Sequence, residues 1–506
     1  MMRLTKRLLN IGLLLVSVSS ASAFSLLGPF KEGANFPDPW QSAGYDGRPR
    51  GIGYNLIGDI GGPMTPLEGY RWNVPVITYA FDFTFHQYFG PQGVRAVEQA
   101  FAILNALPPV SQMSPTLSEF SLDTKAENGS AALLGLTDLK SFTLSLLLEE
   151  MGLANPERFV WGLRGRQTGQ GFTNYSVIQL NYDPVTLQST RFVNGVNYNY
   201  IIFDDLGPMG GEWASAVEWY TLDPLYLPYT SVAGGLGSQD FQLGSSPDLV
   251  ALSFFGLLPG QYFSGLTRDD VGGLRFLLST NNMVFDTLLP TVFPTSSGLL
   301  RGSPWSSIVV SNAFGSNVVV GTNIISATNF PGFVTTALRP GLDKITFQRV
   351  GLLGTNFTPI RLRYTDRFIT NLSTLRVSKQ SVERVVLRPD ILFTVRDLGT
   401  VFEIPVRSGR SGTGNWTNNA ALNSFAGPQG LGGPGTINPP VIITFSDMVP
   451  YFLNLAALEG DVESALFTSG LWGSFDGTAT PPVVFPIYPN PSALPPGYLE
   501  DLVFGQ

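Results

Sequence analysis

The sequence contains no cysteine, although it is 506 residues long. Disulfides, thiolate ligands of metal ions and thiol nucleophiles are therefore excluded. The chain must gain its stability from packing, and its content of hydrophobic residues, 43%, is enough for a large core. Disordered chains have the opposite combination of low hydrophobicity and high charge. We therefore expect a folded protein with more than one domain.

Histidine is almost absent, because His86 is the only one in the chain. The common zinc hydrolases bind their metal through two or three imidazoles, and one chain with one histidine cannot build such a site. A Ser-His-Asp triad would place His86 beside a nucleophilic serine, but no Gly-x-Ser-x-Gly motif accompanies it. We predict no cofactor and no metal site based on histidine.

Charged residues are also scarce, at 13%, and the formal net charge is −8. The 30 lysines and arginines are scattered singly along the sequence, without a run or a stripe. Because binding to phosphate backbones depends on clustered cations, nucleic acid is not an expected partner. After residue 23 no apolar run has the roughly 20 residues that a transmembrane helix needs, so none is expected.

The first 23 residues have the features of a cleavable signal peptide. A basic region, a short apolar segment and a small-x-small cleavage site follow one another, and they are formed by Arg3, Lys6 and Arg7, by Leu8–Val18 and by Ala21-Ser22-Ala23. Cleavage after Ala23 would begin the mature chain near Phe24. We therefore expect a bacterial exported protein, located in the periplasm, at the cell surface or in the medium.

The composition divides the rest of the chain into four segments. Residues 24–72 are rich in glycine, proline and aromatic residues and are expected to form an extended arm. Residues 73–282 have the strand and helix patterns of an α/β domain, whereas residues 283–425 have the short strand patterns of a β-rich, sandwich-like domain. Residues 426–506 combine a Gly/Pro-rich connector with a last β segment. The expected fold class is α+β.

Four elements are predicted with definite bounds in the α/β segment. They are a buried strand at Val76–Phe81, a helix at Gly93–Leu107 that Gly90-Pro91 opens, a helix at Leu139–Met151 between Asp138 and Gly152, and a helix at Asp269–Leu278. Asp138 is expected to cap the helix at Leu139–Met151, and Gly152 is at the position where a left-handed residue ends such a helix. Thr267 with Asp270 has the spacing of a capping box. The helix at Leu139–Met151 is apolar almost all round, so we expect it to be buried.

Three pieces of this segment, in this order, resemble the catalytic domain of metzincin zinc peptidases, in particular the matrixin-like branch. Ile77–Phe81 and the helix after it resemble the opening strand and helix of that family. Phe142–Leu153 resembles the active-site helix, V-A-x-H-E-x-G-H-x-x-G-L, and Gly265–Leu274 is similar to the closing helix, L-T-x-D-D-[IV]-x-G-[IL]. The resemblance implies a metzincin-like α/β domain over residues 73–280.

The active-site helix departs from the family at the positions that carry the chemistry. Ser145 stands where the first zinc-binding histidine would be, Leu146 where the general-base glutamate would be, and Glu149 where the second histidine would be. No third histidine follows Gly152. A leucine cannot accept a proton from water, so the resemblance implies an inactivated peptidase.

Acidic pairs offer a second kind of candidate site, at Glu149-Glu150, Asp204-Asp205 and Asp269-Asp270. A glycosidase dyad needs two carboxylates that face each other across a substrate, whereas adjacent residues point apart. Asp269 and Asp270 are better explained as charges that stabilise a helix N-terminus. Asp204-Asp205, on a predicted loop beside Gly207, could bind calcium through oxygen ligands.

An aromatic cluster is the remaining candidate for ligand binding. Its members lie within a short segment and are Trp213, Trp219, Tyr220, Tyr226 and Tyr229. Such residues form platforms for sugars or peptides on exported proteins, or else pack into a core or over a cleft.

The leading hypothesis is a non-catalytic exported protein with a binding or structural role, for which an extracellular protein or glycan would be the partner. A metal-independent hydrolase acting on extracellular glycans or peptides is the first alternative. A self-assembling surface or sheath protein is the second, because the charge is low and the β segments are rich in Gly, Asn and Ser.

Overall fold

A computed structural model describes about three fifths of the chain. The described residues are 23–27, 63–64, 66, 69–154, 156, 160–169, 172–205, 213–221, 257, 259–295, 308–310, 317–320, 323–326, 333–353, 356–371, 374–395, 416–418, 435–445, 471–477 and 480–485. Within these ranges, no helix combines the length and the apolar character that crossing a membrane requires. The predicted signal peptide lies outside them, apart from its last residue, Ala23.

The described residues form a mixed α+β structure in which strands predominate. The helices are α1 (Phe83–Ala106), α2 (Gly129–Leu133), α3 (Leu139–Glu150), α4 (Arg268–Leu278) and a 3₁₀ helix (Val110–Gln112). The strands of the first half are β1 (Phe24–Leu27), β2 (Pro63–Met64), β3 (Tyr70–Trp72), β4 (Val76–Phe81), β5 (Lys125–Glu127), β6 (Leu136–Asp138), β7 (Leu153–Ala154), β8 (Gly162–Gly169), β9 (Phe172–Ile178), β10 (Asn181–Tyr182), β11 (Phe192–Val193), β12 (Val196–Asp205), β13 (Trp213–Thr221) and β14 (Gln261–Phe263).

In the described residues of the second half, the regular elements are strands. They are β15 (Val284–Thr287), β16 (Val292–Pro294), β17 (Ile308–Val310), β18 (Asn317–Val320), β19 (Asn323–Ser326), β20 (Thr336–Arg339), β21 (Thr346–Arg349), β22 (Leu352–Leu353), β23 (Asn356–Phe357), β24 (Ile360–Asn371), β25 (Arg376–Val386), β26 (Ile391–Thr394), β27 (Trp416–Asn418), β28 (Gly435–Ile437), β29 (Val441–Thr444), β30 (Leu471–Ser474) and β31 (Val483–Val484). The short strand patterns of the sequence after residue 282 are thus confirmed as strands.

A parallel sheet joins the two halves of the chain. Its strand order is β21-β4-β26-β29, and every neighbouring pair in it is parallel. Only β4 comes from the predicted α/β segment, and the other three strands come from beyond residue 282. The boundary expected at residue 282 therefore does not separate this sheet. The same holds for the main core, whose buried residues extend from Phe24 to Phe485.

Helices α1 and α3 pack against each other beside this sheet. Aromatic rings fill the space between them: Phe89 and Phe142 meet Trp472 at ring-centroid distances of 6.2 and 4.7 Å, and Phe85 lies 5.8 Å from Phe445. Edge-to-face contacts of this kind suit the opposite charge distributions of ring faces and edges. The strands that carry Phe445 and Trp472 follow the helices by about 300 residues, so this core is made of distant segments.

Helix α1 begins earlier than the sequence pattern predicted. Asp82 caps it by accepting a hydrogen bond from the Phe85 N–H at 3.0 Å, so the helix starts at Phe83 and not near Gly93. At Gly90 the backbone turns to a positive φ of 58°, and Pro91 follows. Gly90 is therefore non-helical and separates two helical segments of α1, and Pro91 opens the second segment, as predicted, because proline is tolerated in the first turn of a helix.

The segment expected to be an extended arm contributes a buried strand. In β1, Phe24 and Leu26 are buried, and the strand pairs antiparallel with β2, β7 and β10. Phe24 also stacks on Phe276 of α4 at 5.4 Å. The start of this arm is thus part of the core rather than a surface layer.

Candidate functional site

The three positions at which a metzincin would carry its chemistry lie on α3 and are closed to solvent. The relative exposures of Ser145, Leu146 and Glu149 are 0, 1 and 5%. All twelve residues of α3 are buried, as the apolar pattern predicted. The helix contacts α1 along its length and touches β6, β7, β14 and β30. A substrate in solvent has no access to any of the three side chains.

The N-terminus of α3 is held by a buried polar network. Asp138 accepts hydrogen bonds from the Ser141 N–H at 3.0 Å and from the Ser141 hydroxyl at 2.6 Å. The Ser141 hydroxyl oxygen in turn accepts one from the Phe263 N–H at 2.7 Å, which ties the helix to β14. Burial raises the pKa of Asp138 above its usual range, against opposing effects of Lys140 and of these hydrogen bonds. The predicted cap is confirmed.

The C-terminus of α3 is held by β3, whose first and last residues both contact it. The Trp72 indole N–H donates to the carbonyl oxygen of Glu150 at 2.7 Å. Gly152 has a φ of +101°, and a Cβ atom there would lie 2.5 Å from the Tyr70 carbonyl oxygen. The predicted left-handed glycine at the end of this helix is confirmed, and close backbone packing is a second reason why the position takes glycine.

No metal centre is assembled by the described part of the chain, since no group of three or more His, Asp or Glu side chains converges in it. His86 lies on the exposed side of α1, one turn after the Asp82 cap. Its ring meets Phe81 at 5.9 Å, and partial burial, then the nearby Arg349 cation, lower the pKa of His86 below its usual range. The His86 ring therefore has the Phe81 ring and the Arg349 cation as neighbours.

The three acidic pairs lie on three different elements, two helices and one strand. Glu149 and Glu150 form the buried C-terminal end of α3. Asp204 and Asp205 lie at the end of β12, where they pair with Ala214 and Trp213 of β13. The prediction that these two residues are in a loop is therefore wrong, because they are in a strand.

The third pair is in the first turn of α4, as predicted. Thr267 and Asp270 form a capping box, and the Thr267 N–H donates to the Asp270 carboxylate at 2.8 Å. Asp269 accepts a hydrogen bond from the Asn194 N–H at 2.6 Å. Asn194 and Gly195 both have positive φ and connect β11 to β12, which is the arrangement of a two-residue hairpin turn. This turn therefore lies against the start of α4.

The aromatic cluster lies partly on β13. Trp213, Trp219 and Tyr220 are residues of this strand, and its pairing places Trp219 opposite Tyr200 and Tyr220 opposite Asn199. Tyr226 and Tyr229 lie outside the described residues.

A basic face on the β24–β25 hairpin was missed by sequence reasoning. Arg361, Arg363 and Arg367 are at alternate positions of β24 and are exposed, and Arg367 is directly opposite the exposed Lys379 of β25. The carboxylate of Glu383 binds Arg363 at 2.7 Å and Arg361 at 3.2 Å. The described part of this face thus has four cations and one carboxylate, and the expectation of singly scattered cations is wrong here.

The spacing of the three arginines, two and four residues apart within one strand pattern, was the available signal in the sequence. Alternate residues of a strand share one face, so this spacing already placed the three on one surface. Lys379 could not be added from sequence, since its position depends on the register of the hairpin.

Comparisons with protein-family models, with curated proteins and with solved structures found no match to this chain.

Proposed function

We propose that this chain is an exported, non-catalytic protein whose α/β part resembles a metzincin peptidase that has lost its zinc site. The observation that supports this proposal is the complete burial of α3, including Ser145, Leu146 and Glu149. In an active enzyme of that kind, the corresponding side chains face a cleft that admits water and substrate. Here the same surface of the helix is occupied by packing.

The side chains that replace the zinc ligands also argue against catalysis by another route. Leu146 has no acid–base chemistry, and a general base must be within hydrogen-bond reach of the proton that it removes from a bound substrate. Glu149 is buried within the helix packing, and no substrate can reach it without opening the core. We infer that the position now stabilises the fold and that the function is carried by other surfaces.

The test of the non-catalytic proposal is the zinc content and turnover of the exported protein. After dialysis, elemental analysis is expected to find close to zero zinc per chain, and casein is expected to remain uncleaved with or without added zinc. A content near one zinc per chain would contradict the proposal. So would a turnover that Glu149→Gln abolishes while the circular dichroism spectrum is unchanged.

We further propose that the basic face of β24 and β25 binds an anionic glycan. The face combines exposed guanidinium and ammonium groups with the hydroxyls of Thr365 and Ser381, which pair with each other across the hairpin. Residues two apart in a strand are about 7 Å apart, which suits a polymer with regularly spaced charges. Arg367 and Lys379 stand directly opposite each other, and like charges in that position destabilise a hairpin. Binding of an anionic ligand would offset this repulsion.

Heparin serves as the probe for this face. The wild-type protein is expected to be retained at low salt and released as salt increases, because screening weakens contacts between exposed charges. Lys379→Glu is expected to reduce retention and, by placing opposite charges in register, to raise the free energy of unfolding by about 0.2–1 kcal/mol. Arg95→Glu, on the exposed side of α1, makes the same change of net charge and is the control. Equal elution of the two variants would contradict a specific role for the hairpin.

A further inference from the structure

The backbone nitrogen of Ala23 has a defined partner deep in the structure. Ala23 is fully buried, and its N–H donates to the Oδ1 atom of Asp269 at 2.8 Å. The two residues are 246 positions apart in the sequence. Ala23 is also the residue at which the sequence predicts the end of the signal peptide. The bond between these two groups therefore connects the site of processing to the start of α4.

The carboxylate of Asp269 is positioned by hydrogen bonds so that it can bind a positively charged group. Its Oδ2 atom accepts the Asn194 N–H at 2.6 Å, and its own N–H donates to the Asn194 side-chain oxygen at 3.1 Å. The Asn194 side-chain amide nitrogen also donates to the Thr267 hydroxyl at 3.0 Å. Hydrogen bonds among Asn194, Thr267 and Asp269 thus fix the carboxylate in place. The position in the first turn of α4 favours the ionised form, because the helix N-terminus carries partial positive charge.

Ala23 is followed immediately by the strand that anchors this end of the chain. Phe24 pairs with Tyr182 and packs on Phe276, and Leu26 pairs with both Leu153 and Met64. With β1 paired on both edges, the nitrogen of Ala23 cannot move away from Asp269 without disrupting these contacts. The position of the Ala23 nitrogen relative to Asp269 is thus set by the pairing of β1.

We propose that Ala23 is the first residue of the mature protein and that its α-ammonium group forms a buried ion pair with Asp269. The proposal rests on export, as proposed above, and places the cleavage at the Ser22–Ala23 bond, one residue earlier than the sequence alone suggested. Ser20 and Ser22 also satisfy the small-x-small rule for that bond. Water adds to the Ser22 carbonyl, the C–N bond breaks, Ser22 leaves as a carboxylate, and the Ala23 nitrogen takes up protons to become an ammonium group.

The chemical consequence is that processing strengthens a bond already present in the precursor. An amide N–H at Ala23 donates one hydrogen bond to the Asp269 carboxylate, whereas an ammonium group adds the attraction between two opposite charges. Removal of the signal peptide would therefore stabilise the folded state at the junction of β1, α4 and the β11–β12 turn. The mature protein would be more stable than the uncleaved chain because of the contact between the Ala23 nitrogen and the Asp269 carboxylate.

The first test is the mass of the N-terminal peptide of the protein recovered after export. A peptide that begins at Ala23 is expected. A chain that begins at Phe24 or Ser22 would overturn this inference and leave export intact, whereas an uncleaved chain would contradict the proposed export itself. The two failures are therefore distinguishable.

The second test measures the ion pair itself in chains that begin at Ala23. Acetylation of the α-amino group leaves an amide N–H but removes the positive charge, and it is expected to increase the equilibrium constant for unfolding about tenfold, since the attraction between two opposite charges in contact is lost. In the Asp269→Asn variant the same acetylation is expected to change the constant by less than about twofold. Equal effects of acetylation in the two backgrounds would overturn the proposal, because the charge would then act elsewhere.

Discussion

At the scale of single residues, buried charges are matched by specific partners from distant parts of the sequence. Arg339 binds Asp286 at 2.7 Å and Asp366 at 2.9 Å, and the Asn73 amide donates to the second oxygen of Asp286. Despite burial, which opposes it, the pKa of Arg339 is raised by these two carboxylates. The two carboxylates thus keep this buried guanidinium charged where β15, β20 and β24 meet.

Asp138 differs from these groups because burial, the largest influence on its pKa, disfavours its charge. The folded state raises the pKa of Asp138 above the ordinary value of 3.8, so the folded chain binds the proton more tightly than the unfolded chain does. The corresponding stabilisation is fully present below that value and is lost as the pH rises through the folded-state pKa.

We therefore predict that Asp138→Asn changes the pH dependence of stability. Asparagine stays neutral and can still accept the Ser141 N–H, so the variant should gain in free energy of unfolding relative to the wild type as the pH rises above 3.8, and the gain should then level off. Urea unfolding over a pH series measures this difference. Asp123→Asn, on an exposed loop, is the control. A difference that does not depend on pH would contradict the prediction.

At the scale of the element, most caps of the helices were accessible to sequence reasoning, whereas the start of α1 at Phe83 was not. Asp138, Gly152 and the Thr267–Asp270 box are local patterns, because each is completed within four residues. The segment of α1 that Gly90-Pro91 opens was predicted, whereas the segment before it was missed, because its cap, Asp82, follows a strand directly.

We predict that Gly152→Ala destabilises the protein. A side chain there would meet the Tyr70 carbonyl oxygen at 2.5 Å and would adopt a positive φ of 101°, so the free energy of unfolding should fall by roughly 1–3 kcal/mol. Chemical denaturation provides the measurement. Gly129→Ala is the matched control, since a Cβ atom there has no neighbour within 4 Å, and a change within about 0.5 kcal/mol is expected. Comparable losses in both variants would show that the close approach to β3 is unimportant.

At the scale of the whole molecule, the parallel sheet makes the two halves of the chain interdependent. β4 lies between β21 and β26, so both of its edges are satisfied by residues from beyond 282. An isolated first half would leave the backbone groups of a buried strand without partners, which costs free energy for each unpaired group. The α/β segment is therefore not an independent unit in this structure.

We predict that a fragment of residues 23–282 does not fold cooperatively. The reason is the loss of β21, β26 and β29 from the sheet, together with Phe393 and Phe445 from the core around Phe85. Thermal and urea unfolding of the fragment, compared with residues 23–506, provide the measurement. A sharp transition in the fragment, with the same helical signal per residue, would show that the first half is a domain on its own.

The sequence by itself determined the features that depend on neighbouring residues. These are the α+β class, the strand at Val76–Phe81, the buried character of α3, the caps and most of the later strands. Periodicity and capping act over a few residues, so the pattern alone is sufficient for them.

Only the tertiary structure decided which strands share a sheet, that the start of the arm enters the core, and that four cations meet on one hairpin face. Each of these depends on register or on pairing between segments far apart in the sequence, and no local pattern encodes the choice of partner. The bond from Ala23 to Asp269 is the clearest case, because it spans 246 residues and exists only once β1 and α4 have packed together.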